Sequence, residues 1–553
     1  MPDSGKSSAS STRITWMIKH WFLIFFLLLS FIFAFTFQDY GVTWDEYVQS
    51  KYGEKSLAYF TSSFQDQSAD SYLNLHFYGP LVELISAVCY SGDLSEFKYE
   101  VRHVIISIFA MIAVIATFYF ARFFKETRIA FLSVSCLLLM PRFYGHMFNN
   151  SKDLPFAALF IAALASMLLV ARSDIDRRWS IPFAGLMTGL CLSIRVGGFL
   201  LFVYGVLILL AAIFIVYQSA KTQGVTPVEK FKSILKIKSN ILLFSAPIII
   251  IIIAWLIMVA MWPFAHHDII RNPLFAFKQS IQFFRPMSVY YAGEILQSNQ
   301  LPRTYLLNYI FITTPIPILV MAIFGSGICI IRMKNSQLEP FNRLIHFTLI
   351  LAVLFPLIYT LVFSPNIYDG VRHFLFILPF IAILSAVGCH HTYIMLSKRM
   401  PNKNVPIMVL GGFILFSPVI QLITLHPYQM TYFNCITGGM KKAGTMYDTD
   451  YWSSSYKEAI EWINSDSKRL NKKTVNVLLA ANKNNKICAT YYADPHITIY
   501  TMFETTGDTP FPPGYDYYVA MTRYQLDKNF PDARIIHSIQ RQGAVFTVIK
   551  VNQ

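Results

Sequence analysis

The residues best equipped for chemistry are an acidic pair, Asp45-Glu46, in the stretch Gln38-Asp-Tyr-Gly-Val-Thr-Trp-Asp-Glu-Tyr47. The pair follows closely on the first long apolar run, Trp16 to Phe37, so it sits where a membrane helix gives way to a loop. A carboxylate held at that boundary can take the proton of an acceptor hydroxyl, with Asp45 as the general base. The same residues also have a purely structural use. Thr43-Trp-Asp-Glu46 matches the Thr-x-x-Glu capping box, in which they only start a helix.

Three further clusters carry charge next to apolar runs. In Arg142-Phe-Tyr-Gly-His-Met-Phe-Asn-Asn-Ser-Lys-Asp153, Lys152 and Asp153 lead into a helix with Pro155 near its start. Asp153 either caps that helix or holds an acceptor or metal, and Lys152 either snorkels or meets a phosphate. In Pro365-Asn-Ile-Tyr-Asp-Gly-Val-Arg-His373, Arg372 and His373 sit at the mouth of a membrane helix. An arginine there either anchors the interface or binds a phosphate through two parallel N–H donors. Arg195 lies either inside a span, where an ionisable group is a functional candidate, or just beyond a span that ends early. His266-His267-Asp268 has ligand-type side chains, but adjacent histidines on one loop do not converge on one ion. The seven cysteines contain no CxxC. Cys435 and Cys488 can form a disulfide if their compartment is oxidising.

The elements that must hold these groups are mostly membrane helices. Of 553 residues, 55% are hydrophobic and 14% charged, and the mean hydropathy is +0.46. Soluble proteins carry about a quarter charged residues, so the chain reads as an integral membrane protein. Its net charge of +15 is accounted for by basic loops kept on one side of a membrane rather than by nucleic acid. Eleven stretches are apolar enough to be spans: 16–37, 104–123, 129–142, 154–171, 180–197, 199–217, 240–262, 305–331, 344–363, 373–394 and 405–424. With the N-terminus cytoplasmic, the inner loops 124–128, 172–178, 218–238, 332–343 and 398–403 hold 16 Lys/Arg in 51 residues. The outer segments 38–103, 143–153, 263–304 and 364–372 hold 10 in 128, the asymmetry the positive-inside rule requires. All the polar clusters fall on the outer side, and Leu81–Tyr90, too short to span, reads as an interfacial segment. Residues 425–553 lose the long apolar runs and read as a small soluble α/β domain on that same side. Ser455-x-x-Glu458 opens its amphipathic helix, and strands are predicted at 475–480, 497–500, 515–522 and 544–551.

Several of these stretches together resemble a known family. Thr43-Trp-Asp-Glu46 after the first span, Asn149-x-x-Lys-Asp-x-Pro155 before the fourth and Tyr368-Asp-Gly-x-Arg-His373 before a late span are similar to motifs of the GT-C membrane glycosyltransferases. The bacterial protein O-mannosyltransferase and aminoarabinose (lipid A) transferase group is the nearest branch. Tyr290–Gly293 with Pro302, Tyr305 and Thr314-Pro315 follows the same pattern, as does His426-Pro-Tyr through Asp450-Tyr-Trp452. The resemblance implies a polytopic α-helical fold of about eleven spans, with 1–424 as the catalytic domain and 425–553 as a periplasmic α/β domain. It implies a polyprenyl-phosphate sugar as donor, a hydroxyl on a protein, lipid or polysaccharide as acceptor, and inversion. Asp45 is then the base, with Glu46 positioning donor or acceptor. Asp153, Asn149 and His76 line the acceptor or metal cavity, and Lys152, Arg372, His373 and Arg195 hold the phosphate. A divalent cation, as in some relatives, would sit at Asp45 and Asp153. The expected location is a bacterial inner membrane. The alternative is a transporter that flips a lipid-linked oligosaccharide, although that function calls for related halves and polar groups near the midplane. A non-catalytic assembly factor is the third reading.

Overall fold

The computed structural model describes residues 5–219, 228–230, 233, 236–282, 287–400, 404–503 and 514–551. The basic loops 218–238 and 398–403 and the outer loop 263–304 fall partly outside these residues. Among the described residues, nine helices are long and apolar enough to cross a membrane: Phe22–Asp39, Ser95–Arg122, Asp153–Ala171, Val196–Gln218, Ser239–Met261, Ile316–Lys334, Pro340–Phe363, Arg372–Ser397 and Ile407–Thr424. The protein is a multi-pass, mostly helical membrane protein. Arg372–Ser397 and Asp153–Ala171 are 89% and 83% buried and form the centre, whereas Phe22–Asp39 and Ile407–Thr424 are 11% buried and lie at the periphery. The outward Leu, Ile and Phe side chains of the peripheral helices are what lipid-facing positions require.

All eleven predicted stretches are helical over most of their length, but proline and early termination reshape three of them. The stretch 129–142 gives a twelve-residue helix, Thr127–Leu138. Met140 is extended because it precedes Pro141, which starts a new short helix, Pro141–Gly145. The stretch 180–197 stops at Leu192, so Arg195 lies on extended backbone beyond the helix end. The stretch 305–331 breaks into Tyr305–Thr313 and Ile316–Lys334 at Thr314-Pro315. The backbone groups freed at that break are met by Asn434. Its Nδ2 donates to Phe311 O at 2.7 Å and Thr314 O at 2.8 Å, and its N–H to Ile312 O at 2.8 Å. Each interruption lies at the end of the bundle that carries the polar loops.

Seven strands are present among the described residues. β1 (Ser288–Tyr291) and β2 (Glu294–Gln297) form a hairpin. β3 (Val475–Leu479), β4 (Ile497–Thr501), β5 (Tyr517–Met521), β6 (Arg534–Arg541) and β7 (Ala544–Val551) form one sheet in the order β4-β3-β5-β7-β6. β3 is parallel to both β4 and β5, while β7 is antiparallel to β5 and β6. The edge strand β6 was not among the expected strands, because its run Arg-Ile-Ile-His-Ser-Ile-Gln-Arg mixes polar and apolar residues without strict alternation. The helix Tyr456–Arg469 forms as expected, but without the capping box. Ser455 Oγ bonds Asp450 Oδ2 at 2.6 Å, and Glu458 pairs with Arg541 at 2.8 Å. Cys435 is an exposed free thiol and Cys488 a buried one, and no disulfide joins them. The Cys488 Sγ lies 3.2 Å from Thr43 O instead.

Candidate functional site: an arginine hub below the first loop

The loop from Gln38 to Thr43 is held at several points before the helix Trp44–Thr61 begins. A Cβ at Gly41 would lie 2.1 Å from Ser454 O, so only glycine permits this close approach. Asn149 Nδ2 donates to Gly41 O at 3.3 Å, and the Val42 N–H donates to Tyr492 OH at 2.9 Å. Glu46 then fixes the helix start. One carboxylate oxygen accepts from the Thr43 N–H at 2.8 Å and from Thr43 Oγ1 at 3.2 Å, and the other faces His103 Nε2 at 3.1 Å. Both oxygens of Glu46 are therefore engaged in local structure, which is the capping-box use of the motif. Asp45, one residue earlier and about 100° around the helix, is directed elsewhere.

Asp45 meets Arg372. The Arg372 guanidinium, itself buried, lies 3.4 Å from Asp45, 3.6 Å from Asp153 and 3.2 Å from Asp369. Two further arginines close the network: Arg195 to Asp153 at 2.8 Å, and Arg523, from the turn after β5, to Asp369 at 2.8 Å. Arg372 also lies over the Trp452 ring at 5.0 Å. Three carboxylates thus face three guanidinium groups, Asp448 lies on the far side of Arg523, and Lys152 adds a cation with no carboxylate of its own. Lys152 lies 5.0 Å over the Tyr78 ring and has no ion pair among the described residues. That unpaired lysine suits an anionic ligand.

Local backbone explains the convergence. Asp369 and Gly370 both adopt left-handed conformations, with φ of 57° and 68°. That reversal places Asp369 within reach of Arg372 three residues on. The Gly370 N–H donates to Tyr305 OH at 2.9 Å, and a Cβ there would press on the Tyr309 ring at 3.0 Å. Asp153 does not cap its own helix. The Asn150 side chain accepts from the Asp153 N–H at 2.8 Å, leaving the Asp153 carboxylate for Arg195 and Arg372.

The remaining expected residues are distributed as follows. His373 Nε2 lies 3.4 Å from Arg372 and its ring stands edge-on to Tyr368. His76 is apart from the hub, packed against Phe77 and Phe264, and its carbonyl accepts from Trp262 Nε1. His266 and His267 diverge, towards Tyr59 and Asp70 respectively. Asp45 and Asp153 do not fit a divalent cation, because the Arg372 guanidinium already occupies the space between them. Among the described residues no group of three or more His, Cys, Asp or Glu could hold a metal.

Three site residues were not singled out from sequence. Asp369 lies within the Tyr368–His373 motif, where its spacing of three from Arg372 was the available signal. His146 lies beside the hub, between Asn150 Nδ2 and Tyr451 OH, each at 3.2 Å. Burial pushes its imidazole down to about 3, Asp153 opposing and Arg142 and Arg372 reinforcing the shift. It is therefore a neutral hydrogen-bonding group at neutral pH. Arg523 carries no local sequence signal at all.

Asp448 lies on the far side of Arg523 and accepts from the Tyr290 N–H at 3.0 Å. Burial raises its carboxyl from the usual 3.8 to about 6, with Arg523 opposing. The folded state therefore binds a proton that the unfolded chain has released between pH 4 and 6, so stability falls as pH rises through that window. The expected loss is on the order of 2–3 kcal/mol. Thermal unfolding of Asp448→Asn should lose this pH dependence while keeping the Tyr290 contact.

Residues 92–223 match the family described as dolichyl-phosphate-mannose-protein mannosyltransferase. No curated protein sequence matches the chain. Among solved structures, the chain is similar to ArnT from Cupriavidus metallidurans bound to undecaprenyl phosphate, at 12% identity and TM-score 0.47, covering 96% of this chain and 98% of that one. It is also similar to the archaeal oligosaccharyltransferase AglB from Archaeoglobus fulgidus in complex with an inhibitory peptide and a dolichol-phosphate, at 11% identity and TM-score 0.47, covering 87% of this chain. The chain spans 64% of the length of that archaeal structure. Over residues 92–223, a stretch that contains Lys152, Asp153 and Arg195, the chain is thus similar to the dolichyl-phosphate-mannose-protein mannosyltransferases.

Proposed function

We propose that the chain is a GT-C-type glycosyltransferase that moves a sugar from a polyprenyl-phosphate donor to an acceptor hydroxyl, with inversion. The family match over 92–223 supports the class of reaction. The single observation that carries the assignment of Asp45 is accessibility. Its side chain is 33% exposed, against 4% for Asp153 and 1% for Asp369, although all three share Arg372. Of the three, Asp45 is the carboxylate open to an incoming hydroxyl.

In the reaction, the acceptor O–H gives its proton to the Asp45 carboxylate as its oxygen attacks the anomeric carbon. The bond from that carbon to the phosphate oxygen breaks, and the polyprenyl phosphate leaves with the electron pair. One displacement of this kind inverts the anomeric centre. Arg372 and Lys152 face the developing phosphate charge, a contribution that grows along the reaction and so lowers the barrier. Arg195, His373 and the buried Asp153 and Asp369 keep Arg372 in place. Glu46 and Asn149 position the loop rather than the substrate. The charge asymmetry of the loops supports a cytoplasmic N-terminus, with the site and the 425–553 domain on the opposite side of the membrane; the resemblance to bacterial relatives makes that side the periplasm.

The test is mass spectrometry of lipids that co-purify with the wild type and with Asp45→Asn. The variant should retain a polyprenyl-phosphate monosaccharide that the wild type has largely turned over. A diphosphate lipid carrying several sugars in both preparations would instead identify an oligosaccharide transporter.

A further inference from the structure

A second concavity adjoins the hub and has no part in the chemistry above. Strands β4, β3 and β5 are parallel, and the chain leaving their carboxyl ends lines a cavity of about 210 Å³. Ala481 follows β3, Phe503 follows β4, and Arg523 and Tyr524 follow β5. Trp44, the residue before Asp45, lines the same cavity. The carboxyl edge of parallel strands is the usual ligand crevice of open α/β sheets. Here that edge is turned towards the loop that carries Asp45.

Two features of this cavity bear on what it could hold. Trp44 Nε1 and Arg523 Nε are buried nitrogens with no hydrogen-bond partner among the described residues. Unmet buried donors are rare and call for an acceptor. In addition, Tyr524 and Gln525 are consecutive left-handed residues, with φ of 59° and 57°, a conformation that bulky side chains avoid. The surrounding structure holds this turn against its own preference, and strain of that kind collects at ligand clamps. The turn sets the Arg523 guanidinium 4.9 Å over the Tyr524 ring and 5.8 Å over the Trp44 ring.

We propose that this cavity binds a sugar ring of a neutral glycan acceptor and delivers its hydroxyl to Asp45, an inference that rests on the transferase reading. The lining selects for that chemistry. The charge of Arg523 is already balanced by Asp369 at 2.8 Å, so the cavity has no free charge to attract an anion. Trp44 and Tyr524 bring aromatic rings to the lining, the kind of surface on which the C–H face of a pyranose packs, and Ser453, Asn482 and Asn485 add polar side chains to it. The volume suits about one ring. Arg523 joins the two sites, because Asp369, which it holds, is also a partner of Arg372.

The test uses full-length protein in detergent and saturation-transfer NMR with methyl α-mannopyranoside, methyl α-glucopyranoside and a neutral serine-containing peptide. Undecaprenyl phosphate binding is measured on the same preparations. Wild type should saturate the ring protons of at least one glycoside. Ala481→Trp, which fills the cavity, and Tyr524→Gly, which removes a ring and relieves the left-handed strain, should each weaken that signal about tenfold or more, with lipid binding retained. Saturation of the peptide alone, no glycoside signal in wild type, or a signal that survives either variant overturns the proposal. If the glycoside result holds but wild type fails to bind undecaprenyl phosphate, the sugar site stands and the transferase reading falls.

Discussion

Asp45→Asn should lower the rate of sugar transfer by about 10²–10⁴-fold, the usual worth of a positioned general base, with the protein folded as before. Asparagine matches aspartate in shape but cannot take the acceptor proton. The structural cost is small because the helix start rests on Thr43 and Glu46, not on Asp45. The one ion pair that is lost, to Arg372 at 3.4 Å, involves a partly exposed carboxylate, and such pairs contribute about 0–1 kcal/mol. A wild-type thermal midpoint with transfer nearly absent is the expected pair of results. Wild-type transfer in the variant would move the base elsewhere.

Arg372→Met should lower transfer too, because Arg372 faces the leaving phosphate, but unlike Asp45→Asn it should also cost stability. It removes the one group shared by Asp45, Asp153 and Asp369, two of which are almost wholly buried. Removing one partner of a buried ion pair leaves an uncompensated charge and costs about 3–5 kcal/mol. Arg195 and Arg523 remain as partners for Asp153 and Asp369, which limits the loss but does not cancel it. Thermal unfolding should therefore show a clear drop for Arg372→Met and almost none for Asp45→Asn. Equal small drops would mean that the hub is less tightly coupled than its distances imply.

The membrane architecture was legible in the sequence because long apolar runs have few alternatives in a bilayer. The helix ends were less so. Pro141 and Pro315 split predicted spans, and only the fold reveals that Asn434, more than a hundred residues from the second break, satisfies the groups freed there. The site divides along similar lines. Asp45, Asp153 and Arg372 stood out as charged residues at span ends, and Arg195 as one inside or just past a span. Glu46 and Asn149 belonged to the same motifs, but whether such residues touch substrate or hold a loop depends on side-chain direction, which spacing does not encode. His76 was drawn in by residue type and packs among aromatic rings instead. Arg523 reaches Asp369 across 154 positions from a turn whose left-handed backbone has no glycine to announce it. Pairings of that range arise only from the docking of the sheet against the membrane loops.

The most direct measurement of the central claim is a binding titration of undecaprenyl phosphate against purified wild type, Lys152→Met and Asp45→Asn. Lys152 is the informative position because it belongs to no ion pair among the described residues, so its loss tests phosphate contact without disturbing the hub. A charged hydrogen bond is worth about 1.5–3 kcal/mol. Lys152→Met should therefore bind roughly 10–100-fold more weakly, and Asp45→Asn at least as tightly as wild type, since it removes a negative charge beside Arg372. Wild-type affinity in Lys152→Met, or a large loss in Asp45→Asn, would contradict a lipid phosphate held on this face of the site.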